Sequence, residues 1–376
     1  TKAISYTPRS NLRNLPGMSG WRTLLLPFSL LYGLVTIVRN WLYDKRLLPS
    51  YSSTLPTIGV GNLTTGGTGK TPHIEYLVRL LRPHYRVATL SRGYGRKTKG
   101  FMIVSNPSGT DMIGDEPMQY YSKFSDILVS VGEDRAAALQ RLERHHPKPQ
   151  VVLLDDVFQH RAVRPGHQIL LIEYDRIMQT ELLLPAGDLR EVKSGQRRAD
   201  TIIITKSPAI LVPIERKRIL EHLQPLEHQQ VFFTYYRYGD FTRLHAKPGG
   251  MMMGSQYYLE KRFTILMVTG IAHPATLIEH LRRQSDKLEM MLFPDHHEFT
   301  EKDIRRIQET FDQIANPNKI LVTTEKDAMR FRNPRIDALT RNMPIFYIPI
   351  EVAFHQDGEK FDQTITRYVT AARKPS

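Results

Sequence analysis

The run Gly61-Asn62-Leu63-Thr64-Thr65-Gly66-Gly67-Thr68-Gly69-Lys70-Thr71-Pro72 commits this chain to a strand–loop–helix turn built around an anion. The apolar residues 57–60 precede it as a strand. In the run that follows, Ile74, Leu77, Val78 and Leu81 recur on one helical face. Glycines let a backbone approach phosphate oxygens closely, and the N–H groups of Thr65, Gly66, Gly67, Thr68 and Gly69 would turn toward the anion at the helix N-terminus. Lys70 can reach the phosphates, Thr71 can offer its hydroxyl to Mg²⁺, and Pro72 gives up no hydrogen bond that a first helical turn needs. These residues are the expected ATP-binding set.

The loop departs from the strict pattern at Thr64, where a glycine is usual, and is closer to the Gly-Gly-x-Gly-Lys-Thr variant of ATPases and small-molecule kinases. A second element supports the nucleotide reading. Val151-Val152-Leu153-Leu154-Asp155-Asp156 is an apolar strand ending in two carboxylates, the arrangement that sets an acid beside loop-bound Mg²⁺. Either Asp155 or Asp156 can be the ligand.

Further strands are expected at 86–90, 127–131, 168–172 and 201–205, with helical stretches such as 135–144 between them. Near-continuous apolar strands belong to parallel sheets covered on both faces. The fold class is therefore α/β: a doubly wound, mostly parallel sheet carrying the phosphate loop, followed by a second, smaller α/β domain. The expected division is an N-terminal helical segment (1–45), the phosphate-loop domain (46–225), a β-rich linker (226–262) and the smaller domain with a closing C-terminal helix (263–376). Residues 247–254, with two glycines after Pro248 and three methionines, read as a loop or hairpin tip.

The N-terminal segment has its own character. Residues 23–38 carry no charge, Arg22 and Arg39 bracket them, and Trp21 and Trp41 stand just outside. Such anchors suit a membrane interface, but the run is shorter than the roughly 20 residues a span needs. A membrane-associated helix in one leaflet or at its surface is expected. The alternative is an apolar helix packed on the protein's own sheet. The net charge of +14 favours anionic partners. No run of five like charges and no aromatic–basic stripe is present, so nucleic acid is not expected among them. The absence of cysteine excludes disulfides, thiolate metal sites and thiol catalysis.

Three further clusters bear chemistry. Gly114-Asp115-Glu116-Pro117 offers a carboxylate able to orient a hydroxyl or accept its proton. Ser91-Arg92-Gly93-Tyr94-Gly95-Arg96 follows a strand and combines arginines with glycines near an anion. In Phe293-Pro294-Asp295-His296-His297, adjacent histidines point different ways, so one histidine paired with an acid is favoured over a two-histidine metal site.

Taken in order with Leu154-Asp155-Asp156-Val157-Phe158-Gln159-His160, Leu184-Pro185-Ala186-Gly187-Asp188-Leu189-Arg190-Glu191 and Thr323-Thr324-Glu325-Lys326-Asp327-Ala328, these blocks resemble the tetraacyldisaccharide 4′-kinase family, the lipid A kinases of Gram-negative bacteria. The likeness runs from the apolar N-terminus to about residue 331. Val157 departs from it, since the family usually shows glycine after Asp-Asp. The resemblance implies Mg²⁺-dependent transfer of the ATP γ-phosphoryl group to the 4′-hydroxyl of a tetraacylated glucosamine disaccharide 1-phosphate. It implies Asp115 and His296 as a catalytic pair. Substrate-binding positions are expected at Arg92, Glu116, Arg135, Gln159, His160, Arg190 and Glu191. The implied partners are the acylated disaccharide phospholipid and the membrane surface. The implied location is peripheral or monotopic, at the cytoplasmic face of the inner membrane. Two other readings compete: a membrane-associated partitioning-type ATPase, and a soluble small-molecule kinase whose first helix is merely structural.

Overall fold

Strand β1, Thr57–Asn62, is buried along its whole length at the centre of a nine-stranded sheet. The computed structural model describes residues 22, 24–106, 109–179, 181–245, 254–271, 274–295 and 297–373. Trp21 and Thr23, most of the 247–254 segment and His296 therefore lie outside the described residues.

The large sheet also contains β2 (Val87–Ser91), β3 (Met102–Ile103), β4 (Leu128–Val131), β5 (Val151–Asp155), β6 (His167–Glu173), β7 (Thr201–Thr205), β8 (Gln230–Tyr238) and β14 (Ile350–Phe354). Their order is β14-β8-β7-β6-β1-β5-β2-β4-β3. The strands from β8 to β4 run parallel, and β14 and β3 close the two edges antiparallel. Alternation within the apolar runs serves two cores. Val151 and Leu153 face the helix Lys70–Leu81, while Val152 and Leu154 pack with Leu139 and Leu142 of the helix Arg135–Glu143. This is the two-sided burial that near-continuous apolar strands anticipate.

A second sheet orders β11 (Lys287–Leu292), β10 (Thr264–Thr269), β12 (Lys319–Thr324), β13 (Ile345–Ile348) and β9 (Thr242–Arg243). The first four are parallel, and β9 pairs antiparallel. The boundaries expected from sequence change here. β8 belongs to the large sheet rather than to a linker. The chain also leaves the small domain after β13. β14 pairs with β8, and the final helix, Gly358–Ala372, buries Phe361, Ile365 and Val369 in the core beneath the phosphate-loop helix. The closing helix thus covers the large sheet, because its apolar stripe fits the face that β1 and β8 leave open.

The N-terminal helix, Leu26–Asp44, is amphipathic in the inverted sense. Its buried positions are Ser29, Gly33, Thr36 and Asn40. Leu30 is 76% exposed, Phe28 62%, Leu31 61% and Leu34 59%. Small and polar residues bind it to the body: Ser29 Oγ accepts from the Ala186 amide at 2.9 Å, Tyr32 Oη donates to the Arg190 carbonyl at 2.7 Å, and Asn40 Nδ2 donates to Glu191 at 2.9 Å. Packing of its apolar face on the protein's own sheet is thereby overturned. Among the described residues, no helix is long and apolar enough to cross a membrane.

Candidate active site

The loop after β1 is shaped by its glycines. Gly66 and Gly69 hold φ of +104° and +92°, a region that a side chain disfavours. A Cβ at Gly69 would also collide with the Tyr236 hydroxyl. The loop is tied down at both ends. The Thr65 amide donates to the Asp188 carbonyl at 2.7 Å, and Thr205 Oγ1 donates to the Thr68 carbonyl at 2.9 Å. Below it, His73 bridges the Gly69 carbonyl (2.8 Å from Nδ1) and Thr234 Oγ1 (3.1 Å from Nε2). Burial lowers the His73 pKa to about 4, so the ring is neutral. A carbonyl can only accept, which puts the proton on Nδ1 and leaves Nε2 to accept from Thr234.

Lys70 is held at the mouth of the loop, 3.4 Å from Asn62 Oδ1 and 3.6 Å from Asp156 Oδ1. The two acids that end β5 then part company. Asp156 takes a left-handed turn (φ +51°) and meets Arg190 Nη1 at 3.0 Å through both of its oxygens. Burial alone would raise its pKa, but Lys70 and Arg190 hold it below the usual carboxylate range. Asp155 points inward and is 1% exposed. Tyr120 Oη donates to its Oδ2 at 2.8 Å, and Oδ1 has no hydrogen-bond partner. Burial, and then the nearby Glu116, push its pKa up to about 7. The left-handed residue of this turn is Asp156, so Val157 needs no glycine conformation. It is 2% exposed and packs against Gly59.

Hard oxygen donors with one open lone pair fit Mg²⁺. Asp155 offers such an oxygen beside Lys70, with Glu116 close enough to act on it. Among the described residues no three His, Asp or Glu side chains form a cage of their own.

On the other side of the acids lies a cluster of positive charge. Arg135 is 3% exposed and its Nε has no partner. Its pKa is lowered by burial and by Arg92. His160 is half-buried with an unpartnered Nε2, its pKa lowered by burial and then by Arg135. Arg92 stands exposed just past the end of β2. Arg39 of the N-terminal helix also acts on His160 and has an unpartnered Nε. Positive groups set against one another, with buried nitrogens left without acceptors, make a cluster whose charge an anion would relieve. Arg39 drew no attention as a site residue in the sequence, where it reads as a flank of the apolar run.

Gln159 and Glu191 are drawn elsewhere. Gln159 Nε2 donates to the Asn62 carbonyl at 2.7 Å and to Glu191 at 3.0 Å. Glu191 is fully buried and also accepts from Asn40 and, through both oxygens at 2.8 Å, from Arg198. It joins the N-terminal helix to the loop, with its oxygens occupied by the protein itself.

Asp115 begins the helix Asp115–Lys123. Gly114 before it has φ +93°, and a Cβ there would sit 2.8 Å from the Tyr94 carbonyl, so the Ser91–Arg96 turn packs directly on this helix start. Arg330 of the small domain donates to Asp115 Oδ2 from Nε at 3.0 Å and from Nη2 at 2.6 Å. A second set of contacts joins the domains nearby. Lys123 lies 2.6 Å from Glu75 and 2.7 Å from Glu325, and Gln119 also bonds both acids. His297 is occupied locally, 3.1 Å from Asp303 and stacked on Phe293. Its neighbour His296 is outside the described residues.

A family model described as tetraacyldisaccharide-1-P 4′-kinase matches residues 21–370. The tetraacyldisaccharide 4′-kinase of Phocaeicola vulgatus is 41% identical, over 95% of this chain and 96% of that protein. The enzyme of the same name from Flavobacterium johnsoniae is 41% identical, over 94% and 99%. Among solved structures, LpxK from Aquifex aeolicus in complex with ATP superposes with a TM-score of 0.70 at 28% identity, covering 93% of this chain and 99% of that one.

Proposed function

The chain belongs to the tetraacyldisaccharide-1-P 4′-kinase family, and from that membership we propose how its own residues carry the reaction. The enzyme transfers the γ-phosphoryl group of ATP to the 4′-hydroxyl of a tetraacylated glucosamine disaccharide 1-phosphate, a step in making lipid A. The partitioning-type ATPase reading loses its support with that membership.

The backbone of 65–69 and the Lys70 ammonium bind the β- and γ-phosphates. Thr71 and Asp155 would hold Mg²⁺, which when bound neutralises charge developing on the phosphate oxygens. Asp156 keeps Lys70 and Arg190 in place. Asp115 orients the acceptor hydroxyl and, with His296, takes its proton. Arg92, Arg135 and His160 receive an anionic group of the acceptor, with Glu116 and Arg190 contributing to its binding. Gln159 and Glu191 act as supports of the loop and the N-terminal helix.

The working units are 46–240, joined by 350–373, and a small domain of about 241–348. The helix Leu26–Asp44 lies in the cytoplasmic leaflet of the inner membrane, with its exposed apolar face in lipid and Arg39 turned back toward the site. The enzyme is peripheral or monotopic and needs no nucleic-acid partner.

The observation that carries this reading is the buried Asp155 oxygen, left without a partner beside Lys70. The test is transfer of ³²P from [γ-³²P]ATP in detergent to the lipid disaccharide 1-phosphate and, separately, to glucosamine 1-phosphate. Label is expected at the 4′ position of the lipid only. ATP hydrolysis without transfer to the lipid would overturn the reading.

A further inference from the structure

Asp115 and Arg330 are 215 residues apart and come from different domains, yet Arg330 spends two of its nitrogens on one Asp115 oxygen. Its third nitrogen, Nη1, lies 2.8 Å from Asp327 Oδ1 and 3.3 Å from the Gly270 carbonyl. Asp327 is itself immobilised. It is fully buried, and its Oδ2 accepts from Thr269 Oγ1 (2.8 Å), the Gly270 amide (3.0 Å) and Thr324 Oγ1 (2.8 Å). Thr269 ends β10 and Thr324 ends β12. An unbroken chain of bonds therefore runs from the carboxyl edge of the small sheet through Asp327 and Arg330 to the acid that starts the helix Asp115–Lys123. Arg330 is 6% exposed along its side chain, so solvent does not screen the pair as it would at the surface.

We infer that Arg330 is a positioning residue for phosphoryl transfer: it aims the Asp115 carboxylate only when the small domain is seated against the phosphate-loop domain. This rests on the proposed role of Asp115. Chemistry needs a reacting group held to a fraction of an ångström, and an acid on the first turn of a helix at a domain boundary lacks that restraint by itself. A guanidinium fork can grip Asp115 and Asp327 at once, whereas a lysine ammonium offers one point. The arrangement makes the acid ready only in the assembled enzyme, so an open enzyme with ATP bound would orient no acceptor.

The test uses Arg330→Lys and Arg330→Gln, each made in the wild-type and in the Asp115→Asn background of the full chain. In the wild-type background kcat is expected to fall by about 10- to 100-fold, with KM for ATP changing less than about threefold. In the Asp115→Asn background the same changes are expected to cost less than about threefold, because Arg330 acts through the acid already removed. Thermal melting separates folding from positioning. If Arg330→Gln melts early and Arg330→Lys restores the melting temperature, kcat is expected to stay low. Equal losses in both backgrounds, or recovery of kcat in step with stability, would overturn the inference. Failure of wild-type enzyme to phosphorylate the lipid would instead overturn the proposed function.

Discussion

Arg190 meets Asp156 through one guanidinium nitrogen placed 3.0 Å from both carboxylate oxygens, and this pairing separates the roles of two adjacent acids. Asp156 becomes the electrostatic partner of Arg190 and Lys70. Asp155, buried, keeps one oxygen without a hydrogen-bond partner.

The two acids should therefore fail differently. Asp155→Asn is expected to raise the Mg²⁺ concentration giving half-maximal rate by about 10- to 100-fold. Asp156→Asn should lower kcat while moving that Mg²⁺ midpoint less than about threefold. A Mg²⁺ titration of both variants checks this, and the reverse pattern would exchange the assignments.

Lys70→Ala should lose about 10²- to 10³-fold in kcat, the scale of removing one positioned donor from developing charge. Asp156 keeps Arg190 as its partner, so the melting temperature should barely move. Wild-type turnover at saturating ATP would mean that the loop does not bind the transferred phosphate.

Membrane association should follow the exposed face of the first helix. Deleting the helix would also strip partners from Glu191 and Arg190, so substitutions on its outer face isolate the effect. Leu31→Glu combined with Leu34→Glu should abolish flotation with vesicles containing phosphatidylglycerol while ATP binding stays intact. Undiminished flotation would rule out this face as the anchor.

The contact between domains carries a pH dependence. Burial, and then Glu75, push the Glu325 pKa up from 4.5 to about 7. A raised carboxyl binds its proton more tightly in the folded state. Its stabilising contribution is thus complete below pH 4.5 and is lost as pH climbs through about 7. One such proton changes stability by at most about 1.4 kcal/mol per pH unit. Glu325→Gln should flatten urea-unfolding stability between pH 5 and pH 8 relative to wild type. Parallel curves would show that Lys123 alone balances both acids.

Arg92 tests the positive cluster. It is exposed, so Arg92→Ala should leave thermal stability unchanged while reducing kcat/KM for the lipid acceptor by about tenfold or more. Arg92→Lys should recover only part of the loss. A large fall in stability with kcat intact would make Arg92 structural.

What the sequence determined by itself is local. The phosphate loop, the apolar strand running into Asp155-Asp156, the parallel α/β sheet and the small second domain are all written in contiguous residues. A glycine at positive φ, a run of β-branched residues or a period of 3.6 acts over a few positions and needs no distant partner. The uncharged run of the first helix was equally legible, but its inverted orientation was not. That depends on Ala186, Arg190 and Glu191 offering polar partners to Ser29, Tyr32 and Asn40. Only tertiary structure decided that β14 and the last helix return to the large sheet, that Glu191 is an internal brace, and that Arg330 grips Asp115. Each of these is a pairing of residues far apart in the chain. Which charge meets which is set by burial and by the few partners left unsatisfied once the backbone has closed, and no short stretch of sequence carries that information.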